Sequence, residues 1–300
     1  MTAAERLEAA YALLDGCGVC PRGCAVRRRA GERGFCGLAN EVVVARAGLH
    51  MGEEACLVGR RGTGAVYFGG CNLGCLFCQT AEISHRPAGR VMSPRALADL
   101  MLDLERRGAA TIDLVTPTHV APQVLEAVLD ARARGLSRPI VYNCGGYEAV
   151  EMLRLLEGVV DVYLPDAKYA DAAVAAETAR IPAGAVPYPE ALHAALLEMH
   201  RQVGELEVGP DGVARRGLLV RHLVMPGGLA GTADLMRFVA TRLSPRTAVN
   251  LMGQYRPMAQ AVGHPVLGRR PTREELDAAV AAAREAGLTR LIGLGAPPPR

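Results

Sequence analysis

Cys71, Cys75 and Cys78 form a C-x3-C-x2-C spacing that gathers three thiols within eight residues. They follow directly on an apolar run, Ala65–Phe68, of the kind that forms buried strands. A structural zinc site asks for four ligands. A cubane iron–sulfur cluster also asks for four, one per iron. Three thiolates on four irons leave one iron open, and an open iron can chelate a small molecule through an amino and a carboxylate group. The competing reading is a three-cysteine zinc site completed by a distant histidine.

A second group precedes it. Cys17-x2-Cys20-x3-Cys24-x11-Cys36 supplies four thiols, enough for a closed site. It fits a second iron–sulfur cluster that would relay electrons to the first, or a structural zinc that clamps a glycine-rich loop. Arg27, Arg28, Arg29 and Arg33 would offset the charge of four thiolates in either case. Eight of the nine cysteines lie before residue 80. In a reducing compartment such clustering points to metal rather than disulfides. Cys56 and Cys144 are left over, and a lone buried cysteine usually acts as a small hydrophobe.

These groups need a scaffold. Ala65–Phe68, Thr111–Val115, Pro139–Tyr142, Val159–Leu164, Leu218–Val224 and Ala248–Leu251 are nearly continuous apolar runs, as in strands buried on both faces. Helical patterns separate most of them, including one capped by Ser93-Pro94 and one opened by the capping box Thr272–Glu275. Six β-then-α units imply an α/β fold with a parallel sheet, and we expect a partial (β/α)6 barrel over residues 61–295. Leu288–Ile292 is a further strand candidate. Residues 1–60 are expected as a small Cys-rich metal-binding module with a helix near Thr2–Leu14 and a strand near Glu41–Ala47. A Pro297-Pro298-Pro299 tail ends the chain.

In parallel α/β folds the site lies at the carboxyl ends of the strands. There stand Thr116-Pro117-Thr118-His119, Asn143-Cys144, Asp166-Ala167-Lys168, Arg221-His222 and Asn250. Lys168 is the only lysine in a chain with 34 basic residues, and three of the four asparagines (Asn72, Asn143, Asn250) fall at these strand ends. Lysine is a compact point charge that arginine does not replace in a tight site. His119 and His222 read as satisfied buried histidines rather than proton relays.

Composition narrows the classes. The 300 residues are 50% apolar and 22% charged, with net charge +3 and only 4% aromatics. No basic stripe or stacking series marks a nucleic-acid binder. No apolar run suits a membrane span, and no signal peptide opens the chain, so a cytoplasmic protein is expected.

Taken in order, these motifs resemble those of radical S-adenosylmethionine (SAM) proteins related to the pyruvate formate-lyase-activating enzyme, in a PflX-like branch. The marks are Cys20-Pro21-Arg22-Gly23-Cys24, the tripod with Phe77 before its last cysteine, Thr116-Pro117-Thr118-His119, Val141-Tyr142-Asn143, Tyr163–Tyr169, Arg221–Gly227 and Asn250–Pro257. The resemblance implies a [4Fe–4S] cluster on Cys71, Cys75 and Cys78. It implies SAM on the fourth iron, reductively cleaved to a 5′-deoxyadenosyl radical that abstracts hydrogen. It makes Phe77, Thr116, Thr118, Asn143, Asp166, Lys168 and Arg221 cofactor-binding candidates, with Arg221 suited to the SAM carboxylate. Thr116 and Thr118 stand where relatives carry a Gly-Gly-Glu-type motif for the SAM amino group. An electron donor such as flavodoxin or ferredoxin is implied, and in activating enzymes the hydrogen comes from a glycine of a partner protein. A small molecule or peptide is another target. A non-catalytic metal-binding or redox-sensing module is the alternative of a different class.

Overall fold

A computed structural model describes residues 2–294; the proline tail and the last residue of the expected barrel lie outside the described residues. Ten strands build one sheet. They are β1 (Val42–His50), β2 (Thr63–Phe68), β3 (Arg90–Met92), β4 (Ile112–Val115), β5 (Ile140–Cys144), β6 (Val162–Pro165), β7 (Glu207–Val208), β8 (Ala214–Leu223), β9 (Ala248–Met252) and β10 (Arg290–Gly293). Their order is β10-β9-β8-β6-β5-β4-β2-β1-β3, with β7 hairpinned onto β8. From β2 to β10 every neighbouring pair on this path is parallel. The six expected strands are all present, and Leu288–Ile292 contributes a seventh parallel strand, β10. The result is an α/β fold with a mostly parallel sheet, consistent with a partial barrel.

The strands read as unbroken apolar runs because both faces are covered. All five residues of β5 and all four of β6 are buried. The helix Pro94–Arg106 starts where Ser93 accepts from the Ala96 N–H, and it buries Leu97, Met101 and Leu104 on one stripe. Both hydrogen bonds of the Thr272 capping box are formed. No helix among the described residues is long and apolar enough to cross a membrane.

Two features enlarge the expected layout. β1 pairs antiparallel with β2, so the sheet runs across residue 60. A helix at Ala172–Ala179, capped by Asp171, has no counterpart among the periodic patterns. Its alanines make no stripe of large apolar residues, which is the signal a helix reading relies on.

Candidate functional site

The cysteine tripod lies on the loop that leaves β2. Gly70 opens it with φ of 85°, and a Cβ there would stand 2.4 Å from the Cys36 carbonyl oxygen, so only glycine fits. The loop is then pinned by backbone bonds. Gly74 N–H donates to the Ala179 carbonyl at 3.0 Å and Leu76 N–H to that of Thr178 at 2.8 Å, both at the end of the alanine-rich helix. Leu73 N–H reaches the Cys71 sulfur at 3.3 Å. The Thr80 hydroxyl lies 3.6 Å from the Cys78 sulfur.

The three cysteines line a cleft of about 470 Å³ at the carboxyl ends of the parallel strands. Phe77, Thr116, Asn143, Asp166, Lys168 and Arg221 line the same cleft, as does Cys144. Lys168 Nζ pairs with Asp166 Oδ2 at 2.5 Å. Burial works against the ammonium, but Asp166 and Cys75 outweigh it and hold Lys168 above its usual value. Burial pushes the Cys75 thiol up to about 11, against the pull of Lys168, and drives Cys71 higher still. Thiols bind metal as thiolates, so a bound cation supplies the charge that burial withholds. Three thiols, facing N–H and O–H donors, a lysine and an open cleft fit a cluster that keeps one iron for a ligand.

Phe77 packs edge-on against Tyr255 and Tyr169, with ring centroids 5.6 and 6.5 Å away. Thr116 holds φ of 61°, uncommon for a β-branched residue, while its N–H donates to the Asn143 carbonyl at 2.8 Å.

Two expected residues are placed differently. Thr118 is fully buried and does not line the cleft; its hydroxyl donates to Glu148 Oε1 at 2.7 Å. Arg221 reaches the cleft wall already paired. Its Nε donates to Glu54 Oε1 at 2.7 Å, its Nη2 to Glu54 Oε2 at 2.6 Å, and it also contacts Glu53. Asn250 Nδ2 donates to the same Glu54 at 2.8 Å. Burial disfavours the Glu54 charge, yet Arg221 and Asn250 outweigh it and hold the carboxyl below its usual range. The guanidinium therefore serves an internal ion pair before any ligand.

Neither His119 nor His222 lines the cleft. His222 is satisfied at both ring nitrogens, by the Ala167 carbonyl at 2.7 Å and Thr232 Oγ1 at 2.8 Å. His119 Nε2 meets the Gly69 carbonyl at 2.9 Å. Burial lowers both to about 4.

Sequence reasoning missed Arg46, His50, Glu53 and Tyr67, which form a further wall of the cleft. They come from β1, the loop after it and β2. The strand-end rule speaks only of residues after parallel strands, so residues on or after the antiparallel β1, and Tyr67 inside β2, carry no such signal.

Residues 66–183, from β2 to beyond the alanine-rich helix, match the Radical SAM superfamily. The part of the sheet that bears the tripod is thus similar to a radical SAM domain. Over 293 residues the chain is 29% identical to an uncharacterized protein of Methanocaldococcus jannaschii, covering 94% of this chain and 78% of that one. A radical SAM methyltransferase from Sphaerobacter thermophilus superposes with a TM-score of 0.51 and 17% identity over 77% of this chain. The chain spans 66% of that structure, just under two thirds, and the likeness is one of fold. The match over residues 66–183 implies a [4Fe–4S] cluster and SAM for that stretch.

Proposed function

We propose that this chain is a radical SAM enzyme that abstracts a hydrogen atom from a substrate brought to the cleft. One observation carries this reading: the tripod cysteines and the chain's single lysine, paired with Asp166, line one cleft at the strand ends. Cys71, Cys75 and Cys78 would hold the cluster, leaving one iron for SAM. When bound, cluster and SAM supply a carbon-centred radical able to take hydrogen from a C–H bond; that chemistry is the cofactor's.

The chain's own residues bind and shield. Lys168 sets a fixed positive charge beside the thiolates. Thr116 and Asn143 offer polar groups along the wall where SAM would lie. Phe77, wedged against Tyr169 and Tyr255, closes the loop side against water. The resemblance to the pyruvate formate-lyase-activating enzyme makes a glycine of a partner protein the first target to try, with flavodoxin or ferredoxin as electron donor.

The test is anaerobic reconstitution with iron and sulfide, then dithionite and SAM, followed by assay for 5′-deoxyadenosine. Product is expected from the native chain and none from Cys71→Ala, Cys75→Ala or Cys78→Ala. A loaded native protein that leaves SAM intact would overturn the reading in favour of a non-catalytic metal-binding or redox-sensing module.

A further inference from the structure

The four N-terminal cysteines have no part in the cleft, yet they converge. Cys17, Cys20, Cys24 and Cys36 surround a small void of about 10 Å³, room for one water-sized sphere. Its wall also holds Arg22, Arg28, Asn72 and His119, and no carboxylate. Arg22 is 6% exposed and Arg28 is 1% exposed.

These groups are only partly satisfied. Arg28 donates from Nε to the Ala39 carbonyl at 2.7 Å and from Nη1 to that of His119 at 2.7 Å, and Nη1 lies 3.9 Å from the Cys17 sulfur. Arg22 donates to the carbonyls of Asn72 and Arg180, each at 2.9 Å. The second terminal nitrogen of each arginine is buried with no partner. Unpaired buried donors and two buried cations without a carboxylate are costly, so this wall is built for an anion. Four thiolates on a dicationic core would provide one whose charge the two guanidinium groups balance.

Place says which core. A void for one small sphere between four thiols would seat a zinc as readily as the centre of a cluster. A redox-inert zinc would make no use of the tripod next door, whereas a cluster could pass it electrons. The backbone repeats between the two groups. Arg22 N–H faces the Cys20 sulfur and Leu38 N–H the Cys36 sulfur, two residues on in each case, as Leu73 N–H faces Cys71.

We propose that Cys17, Cys20, Cys24 and Cys36 hold a second [4Fe–4S] cluster, closed by four ligands, that exchanges single electrons with the tripod site. Asn72 lines this void and Cys71 lines the cleft, and their Cα atoms are one peptide, about 3.8 Å, apart. Arg22 lies within electrostatic reach of Cys20 and Cys24 on one side and Cys71 on the other. The exchange, though not the site itself, rests on the tripod reading above. In it one electron leaves the N-terminal site as one arrives at the tripod site, and no bond forms or breaks. A low-potential one-electron donor of the flavodoxin or ferredoxin class replaces the electron.

The experiment begins with anaerobically reconstituted native protein and needs no variant. Iron, sulfide and zinc are counted, and Mössbauer spectra identify the clusters. About eight irons per chain in two cubane signals are expected. About four irons with one zinc would overturn the proposal. The variant Cys71→Ala/Cys75→Ala/Cys78→Ala should keep about four irons. That outcome upholds the N-terminal cluster even if the tripod reading fails, and complete loss of iron from a variant that remains folded by circular dichroism overturns it. In fully reduced native protein, two clusters this close should split each other's EPR signal, and the splitting should vanish in the triple variant. Two reduced but non-interacting signals would sink the exchange.

Discussion

At the residue scale, rarity and spacing are good guides and residue type alone is a poor one. The tripod is legible because three thiols in eight residues have few other uses. Lys168 is legible because the chain otherwise avoids lysine. Arg221 is not, since an arginine at a strand end looks the same whether it waits for a ligand or already holds Glu54. That pairing predicts that Arg221→Ala costs about 3–5 kcal/mol, because it strands a buried carboxylate. Urea unfolding would measure it, and adding Glu54→Gln should recover part of the loss. Glu148 makes a second prediction. Burial raises its carboxyl to about 7, despite bonds from Thr118 and Tyr142. Its folded pKa thus exceeds the unfolded value of 4.5, and the folded state binds the extra proton between them. The group's contribution to stability is complete below about pH 4.5 and is lost as pH rises through about 7. Relative to the native chain, Glu148→Gln should gain about 1–3 kcal/mol between pH 4 and pH 8. Denaturant titrations at those two pH values decide it, and a constant difference would refute the assignment.

At the scale of elements, parallel strands and capped helices could be read because period and caps agree with burial. The alanine-rich helix could not, because small residues bury little and leave no stripe. It matters more than its size suggests. Its last carbonyls, of Thr178 and Ala179, hold the N–H groups of Leu76 and Gly74 on the cysteine loop. Its first turn depends on Asp171 Oδ1, which accepts from the Val174 N–H at 2.9 Å. Asp171→Ala should therefore cost about 0.5–2 kcal/mol. It should also speed hydrogen exchange at the Gly74 and Leu76 amides, which lie about a hundred positions away in sequence. Unchanged exchange there would mean the loop is held by its other contacts, such as the Gln260 and Ala261 N–H groups on the Leu76 carbonyl.

At the scale of the molecule, the open matter is whether the first sixty residues fold as a unit of their own. Their composition suggests a module; their bonds tie them to the sheet. β1 forms a ladder with β2, Gln123 Nε2 donates to the Asn40 carbonyl at 3.0 Å, and Arg28 bridges Ala39 to His119. One tight joint is Gly70 against the Cys36 carbonyl. The obstacle there is backbone from the other cysteine group, which cannot swing aside as a side chain could. Gly70→Ala must also force an L side chain into φ of 85°. Such a change should destabilise by more than about 1 kcal/mol. If the two parts are one cooperative unit, calorimetry will show a single transition that moves down as a whole. If residues 1–60 fold apart, an early transition will separate from an unmoved barrel. These bonds favour the first outcome, since neither cysteine group can shift without the backbone of the other.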